Sequence, residues 1–474
     1  MIYPRILIFL TLFFVAAVSA SAQTVGFYPL NQVQPGQRGY GKTVFKGSEL
    51  ERFEVEILGI LKNVGPKQNM ILARLSGEKV EKTGVFAGMS GSPVYLEDQL
   101  VGAVAFTFDF ITEPIVGITP IHDMINIFTE SPATRVGRSQ PVDPYQLYQV
   151  AHLQGISRDF ELPRFRVDPS LTSGRNLGSL QPIATPLNFS GFSAGSIQPF
   201  VSQLDGMGLV PVWGMGTAQL GAGDDAPLQA GSTISVQLAR GDIDISASGT
   251  VTHVSGNKVY AFGHPFLRIG YTALPLNKAS VLTIIPSLMT SQKISATGEL
   301  VGSIKQDRAT GIMGIIGEEP QLVPVHVSLR TSRNELKQYH FELAKDRFLT
   351  PLLVSLSVQN SIVASERSIG DQTLRVKSTI SVRGQEDVNF ENTISDQFSA
   401  PTLAALTASA PVNFLLNSGF EDVAIERLDV EITAVERTRE ANLEKVWQDR
   451  LEVEPGEEVE LTVFLRQSDG VTVV

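Results

Sequence analysis

The 474-residue chain contains no cysteine, which excludes disulfide staples, thiol catalysis and cysteine-ligated zinc. Histidine is scarce. The six are His122, His152, His253, His264, His326 and His340, none in a His-Glu-x-x-His pattern, so no metal is expected and no cofactor is implied. Basic clusters interleaved with aromatics are missing too. The formal net charge of −11 disfavours nucleic acid and anionic membrane surfaces as partners. The glycines of Gly36-x-x-Gly39-x-Gly41 precede no helix and lack a P-loop lysine arrangement, so nucleotide binding is not expected.

Long apolar runs are absent as well, with one exception at residues 6–18. Arg5 precedes that run and the small residues Ala20-Ser21-Ala22 follow it, which is the layout of an export signal cleaved before Gln23. The run is too short for a lasting membrane anchor, and no cysteine follows to carry lipid. Export to a periplasm or to the exterior is expected, without a stable anchor after cleavage. The mature chain would keep 474 less 22, or 452, residues.

What remains is rich in turns and strands: 41 glycines, 26 prolines and a 43% hydrophobic share describe a folded, mainly β protein. Residues 23–133 read as one β-barrel unit, in which Phe53, Val55 and Ile57 alternate with Arg52, Glu54 and Glu56. Thr119-Pro120 predicts an N-cap and first helical residue, opening a short helix through Phe128. Residues 134–230 pattern weakly and suit a connecting or wrapping segment, with a helix at 143–158 and a loop at 221–225. Dense alternation returns over 231–330, a second barrel unit. Residues 331–420 suggest strands followed by one or two short helices from Ser399. The alternating tail, 421–474, suggests a β-sandwich-like segment.

Chemistry concentrates at Gly88-Met89-Ser90-Gly91-Ser92-Pro93, followed by Val94-Tyr95-Leu96, a turn at Glu97-Asp98-Gln99 and the apolar strand 100–106. A serine hydroxyl attacks only when a base takes its proton and N–H groups hold the oxyanion. A glycine before the serine lets the chain turn so that the N–H groups of Gly88 and Ser90 share one hole. Among the histidines, His264 is best placed as base, between Gly263 and Pro265 at the end of an apolar strand. The same position also suits a packed core histidine.

Ser90 and its hairpin resemble the nucleophile segment of chymotrypsin-like serine peptidases, and more closely that of the SpoIVB-like peptidase family. The likeness runs through Glu81-Lys82-Thr83-Gly84, the Ser90 hexapeptide, Val101-Gly102-Ala103-Val104, Glu113-Pro114 and Gly117. Gly263-His264 and residues 310–314 look like the histidine block of that family. The resemblance implies a double β-barrel, Ser90 as nucleophile, His264 as general base, and Gly88 and Ser90 as the oxyanion hole. Three departures accompany it. The serine half precedes the histidine half, so chain order is permuted. Met89 stands where many relatives of chymotrypsin keep an aspartate that pairs with a newly cut N-terminus. Ser76-Gly77 stand where the family keeps its triad aspartate. Asp242 and Asp307 are the replacements available, though each also suits a turn or an ion pair.

Two functions compete. One is an exported serine endopeptidase whose substrate is a protein or peptide: the chain itself or an envelope protein. The other is a non-catalytic envelope binding or scaffold protein on a peptidase fold without its acid.

Overall fold

Alternation around Phe53 carries directly into structure: Phe53, Val55 and Ile57 are buried, while Arg52 and Glu54 are exposed. The computed structural model describes residues 26–65, 68–108, 113–128, 180–201, 204, 208–213, 226–288, 290–366, 370–420, 423–439, 441–450, 452–467 and 470–473. The export signal expected at 1–22, His152, the helix expected at 143–158 and the loop at 221–225 lie outside the described residues.

The first barrel takes strands β1 (Arg38–Val44), β2 (Leu50–Gly65) and β3 (Gln68–Ser76). A two-residue strand, β4 (Phe86–Ala87), leads into the hairpin β5 (Pro93–Leu96) and β6 (Gln99–Phe108), and β7 is Ile115–Pro120. Pairing runs β5-β1-β2-β3-β7-β6 and returns from β6 to β5, closing six strands with no free edge. The β5–β6 turn has Glu97 and Asp98 both at positive φ, the geometry of a tight hairpin. The short helix begins at Ile121, not at Pro120. Thr119 does not cap it; the hydroxyl instead reaches across to the second barrel, described below.

Strands β8 (Leu180–Pro182), β9 (Thr185–Ser190) and β10 (Leu209–Trp213) lead to β11 (Thr233–Gly241), β12 (Asp244–Ser255) and β13 (Lys258–Ala261). β14 (Gly270–Ile285), β15 (Ser291–Arg308) and β16 (Gly311–Ile316) follow. These pair in the order β12-β13-β16-β15-β14-β11, and β11 also pairs with β12, so a second six-stranded ring closes. The chain is thus mainly β, with a chymotrypsin-like double barrel, and the barrel bearing Ser90 comes first.

β14 and β15 are much longer than the ring requires, and their far end forms an arm that reaches the first barrel. There Gly47 and Val281 exchange backbone hydrogen bonds at 2.6 and 2.8 Å, and β15 pairs in parallel with β4.

The remaining strands extend the second barrel's sheet: β17 (Leu322–Arg330), β18 (Leu336–Ala344), β19 (Gln372–Val382), β20 (Val388–Asp396) and β21 (Ile425–Val435). Helices Leu349–Val363 and Ala400–Leu416 join the same apolar core. The second is one continuous helix, with Pro401 in its first turn. The sandwich expected from residue 421 is corrected here. β21 inserts between β17 and β19 because its buried Ile425, Leu428, Val430 and Ile432 complete that core. Only β22 (Ala441–Gln448), β23 (Leu461–Gln467) and β24 (Gly470–Val473) form a separate three-stranded sheet. No helix among the described residues is long and apolar enough to cross a membrane.

Candidate active site

Ser90 lies on a turn that only glycine can complete. Gly88 and Gly91 have φ of +89° and +93°, in the region where a Cβ is strained. A Cβ on Gly91 would also stand 1.9 Å from the carbonyl oxygen of Thr250. Within the turn, the N–H groups of Met89, Gly91 and Ser92 donate to Phe86, Val104 and Met89. The N–H of Ser90 donates to nothing among the described residues. An unpaired N–H beside a nucleophile is what an oxyanion needs. Ser90 is fully buried, and its Oγ has no hydrogen-bond partner among the described residues.

Thr250, on β12, fixes this turn from the second barrel. Its N–H donates to the Ser90 carbonyl at 2.9 Å, and its Oγ1 donates to the Gly88 carbonyl at 3.2 Å. Its own carbonyl oxygen accepts the N–H of Phe262 at 3.2 Å. The turns carrying Ser90 and His264 therefore meet at one residue.

His264 is presented by two consecutive left-handed residues, Phe262 (φ +73°) and Gly263 (φ +71°). A phenylalanine in that region is strained. Gly249 makes it affordable by leaving room for the ring: a Cβ there would stand 2.2 Å from Phe262 Cε1. Gly263 seats against Ala103 and Ala105 of β6, and Thr119 Oγ1 donates to the Gly263 carbonyl at 2.6 Å. The same strand receives the Ser90 turn, since Gly91 N–H donates to Val104 O at 2.8 Å.

The His264 ring is 2% exposed, and its Nδ1 lies 2.8 Å from the carbonyl oxygen of Pro265. A carbonyl only accepts, so Nδ1 carries the proton and Nε2 keeps its lone pair. That is the tautomer a general base requires. Nε2 has no hydrogen-bond partner among the described residues, so it is not bonded to Ser90 Oγ in this state. Burial holds the imidazole pKa down to about 4; the Pro265 carbonyl works against this, and Arg268 adds to it.

Neither expected acid bonds to His264. Asp242 is exposed on the β11–β12 turn and accepts the N–H of His340 at 2.7 Å. Asp307 is buried, but its oxygens accept the N–H groups of Phe266 at 2.9 Å, Leu267 at 2.6 Å and Ile269 at 3.4 Å. It ties down the loop that leaves His264 and does not reach the ring. Burial raises its pKa, against those backbone bonds. His122 and His253 make ring contacts with Phe27, and His326 packs on His340 at 4.9 Å.

Lys293 was not singled out by sequence. It is fully buried on β15 beside Gly88, whose Cβ would stand 3.1 Å from Lys293 Cβ. Its Nζ lies 3.5 Å from Thr233 Oγ1 and 5.5 Å from the Phe86 ring centroid, and burial holds its pKa down to about 7. No sequence signal marks it, because its burial comes from the arm crossing between barrels.

No curated protein matches the chain, and no solved structure does. One family model does match, over residues 16–125. That span contains Ser90, its glycine turn and the strands through β7, but not His264 or either aspartate. The match is to the SpoIVB peptidase S55 family, and over this segment the chain is similar to that family of serine peptidases.

Proposed function

We propose that the chain is an exported serine endopeptidase in which Ser90 attacks the scissile carbonyl and His264 takes its proton. The observation that carries this is a pair of buried, unpartnered atoms, Ser90 Oγ and His264 Nε2, on turns joined through Thr250 and seated on the same stretch of β6. Nucleophile–base contacts are often open without substrate and tighten when it binds.

In this reading Ser90 Oγ forms a bond to the carbonyl carbon while its proton passes to Nε2. The N–H groups of Ser90 and Gly88 receive the oxyanion. The amine then leaves with the proton from Nε2, and water attacks the acyl-enzyme by the same relay. The Pro265 carbonyl does one part of the missing acid's work, setting the tautomer. It supplies no negative charge to steady the imidazolium, so turnover is expected to be slow. Asp307 is a positioning residue for the His264 loop.

The substrate is proposed to be a protein or peptide, the chain itself or an envelope protein, met in the periplasm or outside the cell. The apolar run at 6–18 and its small-residue ending support export. The second reading, a non-catalytic binding or scaffold protein, is favoured by one observation: no carboxylate among the described residues bonds to His264. An active-site-directed fluorophosphonate separates the two. Labelling of the full chain that disappears in Ser90→Ala and falls in His264→Ala supports the peptidase. A folded wild type that takes no label sinks it.

A further inference from the structure

The outer face of β11 and β12 carries a polar ladder. Gln237 stands opposite Ser246, Ser235 opposite Ser248, and Thr233 opposite Thr250. These pairs share one face, because the intervening Ile234, Val236 and Ala247 belong to the apolar core. Asn188 on β9 stands opposite Ser246 and continues the row onto a third strand. β15 crosses above, with Ser295 Oγ 2.5 Å from Ser248 Oγ and Thr297 Oγ1 3.0 Å from Ser235 Oγ.

Between β15 and the ladder lies a cavity of about 250 Å³, lined by Asn188, Gln237, Asp244, Ser246, Ser295 and Thr297. Exposed Gly241 and Leu282 also border it. Much of its lining is internally satisfied. Asp244 accepts from Gln237 Nε2 and from Ser246 Oγ, the latter at 2.7 Å. Asn188 is the exception: it is only 5% exposed, yet neither its Nδ2 nor its Oδ1 has a partner among the described residues. Leaving both ends of a buried amide unpaired is costly, so the side chain is complementary to something that enters.

The chemistry of that ligand follows from the two empty atoms. A cation would satisfy only Oδ1, and an anion only Nδ2. Both are met together by a group with a donor and an acceptor on one edge. A trans peptide group points its N–H and C=O in opposite directions, whereas a primary carboxamide presents both on one side. We propose that the cavity binds a primary carboxamide, the side chain of a glutamine or asparagine in a polypeptide, through a two-bond pairing with Asn188.

Ser246 is four residues from Thr250, about 13 Å along an extended strand, and Thr250 holds the Ser90 turn. A residue roughly four positions from the scissile bond would therefore reach the cavity. This placement rests on the peptidase reading; the amide chemistry does not.

Binding is measured on full-length Ser90→Ala, which keeps a bound peptide intact. Fluorescein-labelled ten-residue peptides are compared in pairs differing by Gln or Leu at one position at a time. The expected result is one position where Gln binds at least tenfold tighter than Leu, with the preference lost in Ser90→Ala/Asn188→Leu. Asn188→Ser, a smaller polar change, serves if Asn188→Leu fails to fold, and is expected to lose the preference too. No position with a Gln preference, or a preference that survives both substitutions, overturns the proposal. So does N-acetylglutamine amide shifting the Asn188 carboxamide NMR signal while no peptide binds, since the occupant is then a free small amide. Fluorophosphonate labelling of the wild type reports on Ser90 alone, so failure of the peptidase reading is distinguished from failure of the cavity assignment.

Discussion

The backbone N–H of Thr250 donates to the carbonyl oxygen of Ser90 at 2.9 Å, so a residue of the second barrel sets the position of the proposed nucleophile, carried by the first. The Thr250 hydroxyl adds a bond to the carbonyl of Gly88, two residues earlier in the same turn. Thr250→Val keeps the shape and the N–H but removes that second bond. The Gly88 carbonyl is then left unpaired in a buried place, at a cost of about 1–3 kcal/mol. We expect a lower urea midpoint and slower fluorophosphonate labelling. Unchanged labelling would show that the Gly88 peptide needs no such brace.

Asp307 holds three loop N–H groups beyond His264. Asp307→Asn offers an NH₂ where one of them needs an acceptor, so at least one buried N–H goes unpaired, again at about 1–3 kcal/mol. If Asp307 acts by positioning, labelling slows while the acid limb of its pH profile stays where it is in the wild type. A shift of that limb would mean that Asp307 touches the imidazole electrostatically.

His264 makes stability depend on pH in a defined window. Its folded pKa of about 4 lies below the ordinary histidine value of 6.5. Between the two, the unfolded chain binds a proton that the folded chain refuses, so stability rises as pH rises from about 4 to 6.5 and then levels. His264→Phe is expected to flatten that part of the slope, read from urea midpoints across the window. A slope identical to wild type would contradict a neutral buried ring.

Lys293 has the same sign at higher pH. Its folded pKa of about 7 is below the ordinary lysine value of 10.5, so the unfolded chain holds the extra proton between them and stability climbs through that range. Lys293→Met removes the climb. Below pH 7 it also removes a buried charge with no carboxylate partner among the described residues, and raises the thermal midpoint. A destabilised Lys293→Met at pH 6 would indicate that the ammonium is paired in the folded protein.

Both turns of the candidate site were legible because their signals are local. Gly88, Ser90 and Gly91 declare a glycine-dependent turn within four residues, and Gly263-His264-Pro265 marks a constrained presentation. Roles that depend on distant strands were not legible. Thr119 reads as a helix cap until Gly263, 144 residues away, takes its hydroxyl. Asp307 looks like a partner for Arg308 until the loop at 266–269 folds onto it. Helix Leu349–Val363 escaped notice because it is buried nearly all round, which erases the polar face that periodicity relies on. Ring closure depends on pairings far apart in sequence, such as β1 with β5 and β11 with β14, which alternation within a strand does not specify.

The arm of β14 and β15 has a mechanical consequence. It is hydrogen-bonded to the first barrel at Gly47 and at β4, yet both its strands are staves of the second. Neither barrel can swing away from the other as a rigid body unless these ladders shear. The arm itself can bend most easily at its register breaks, between Leu276 and Thr283. A crosslink across those bulges would stiffen the tie between the two barrels without touching either turn of the candidate site.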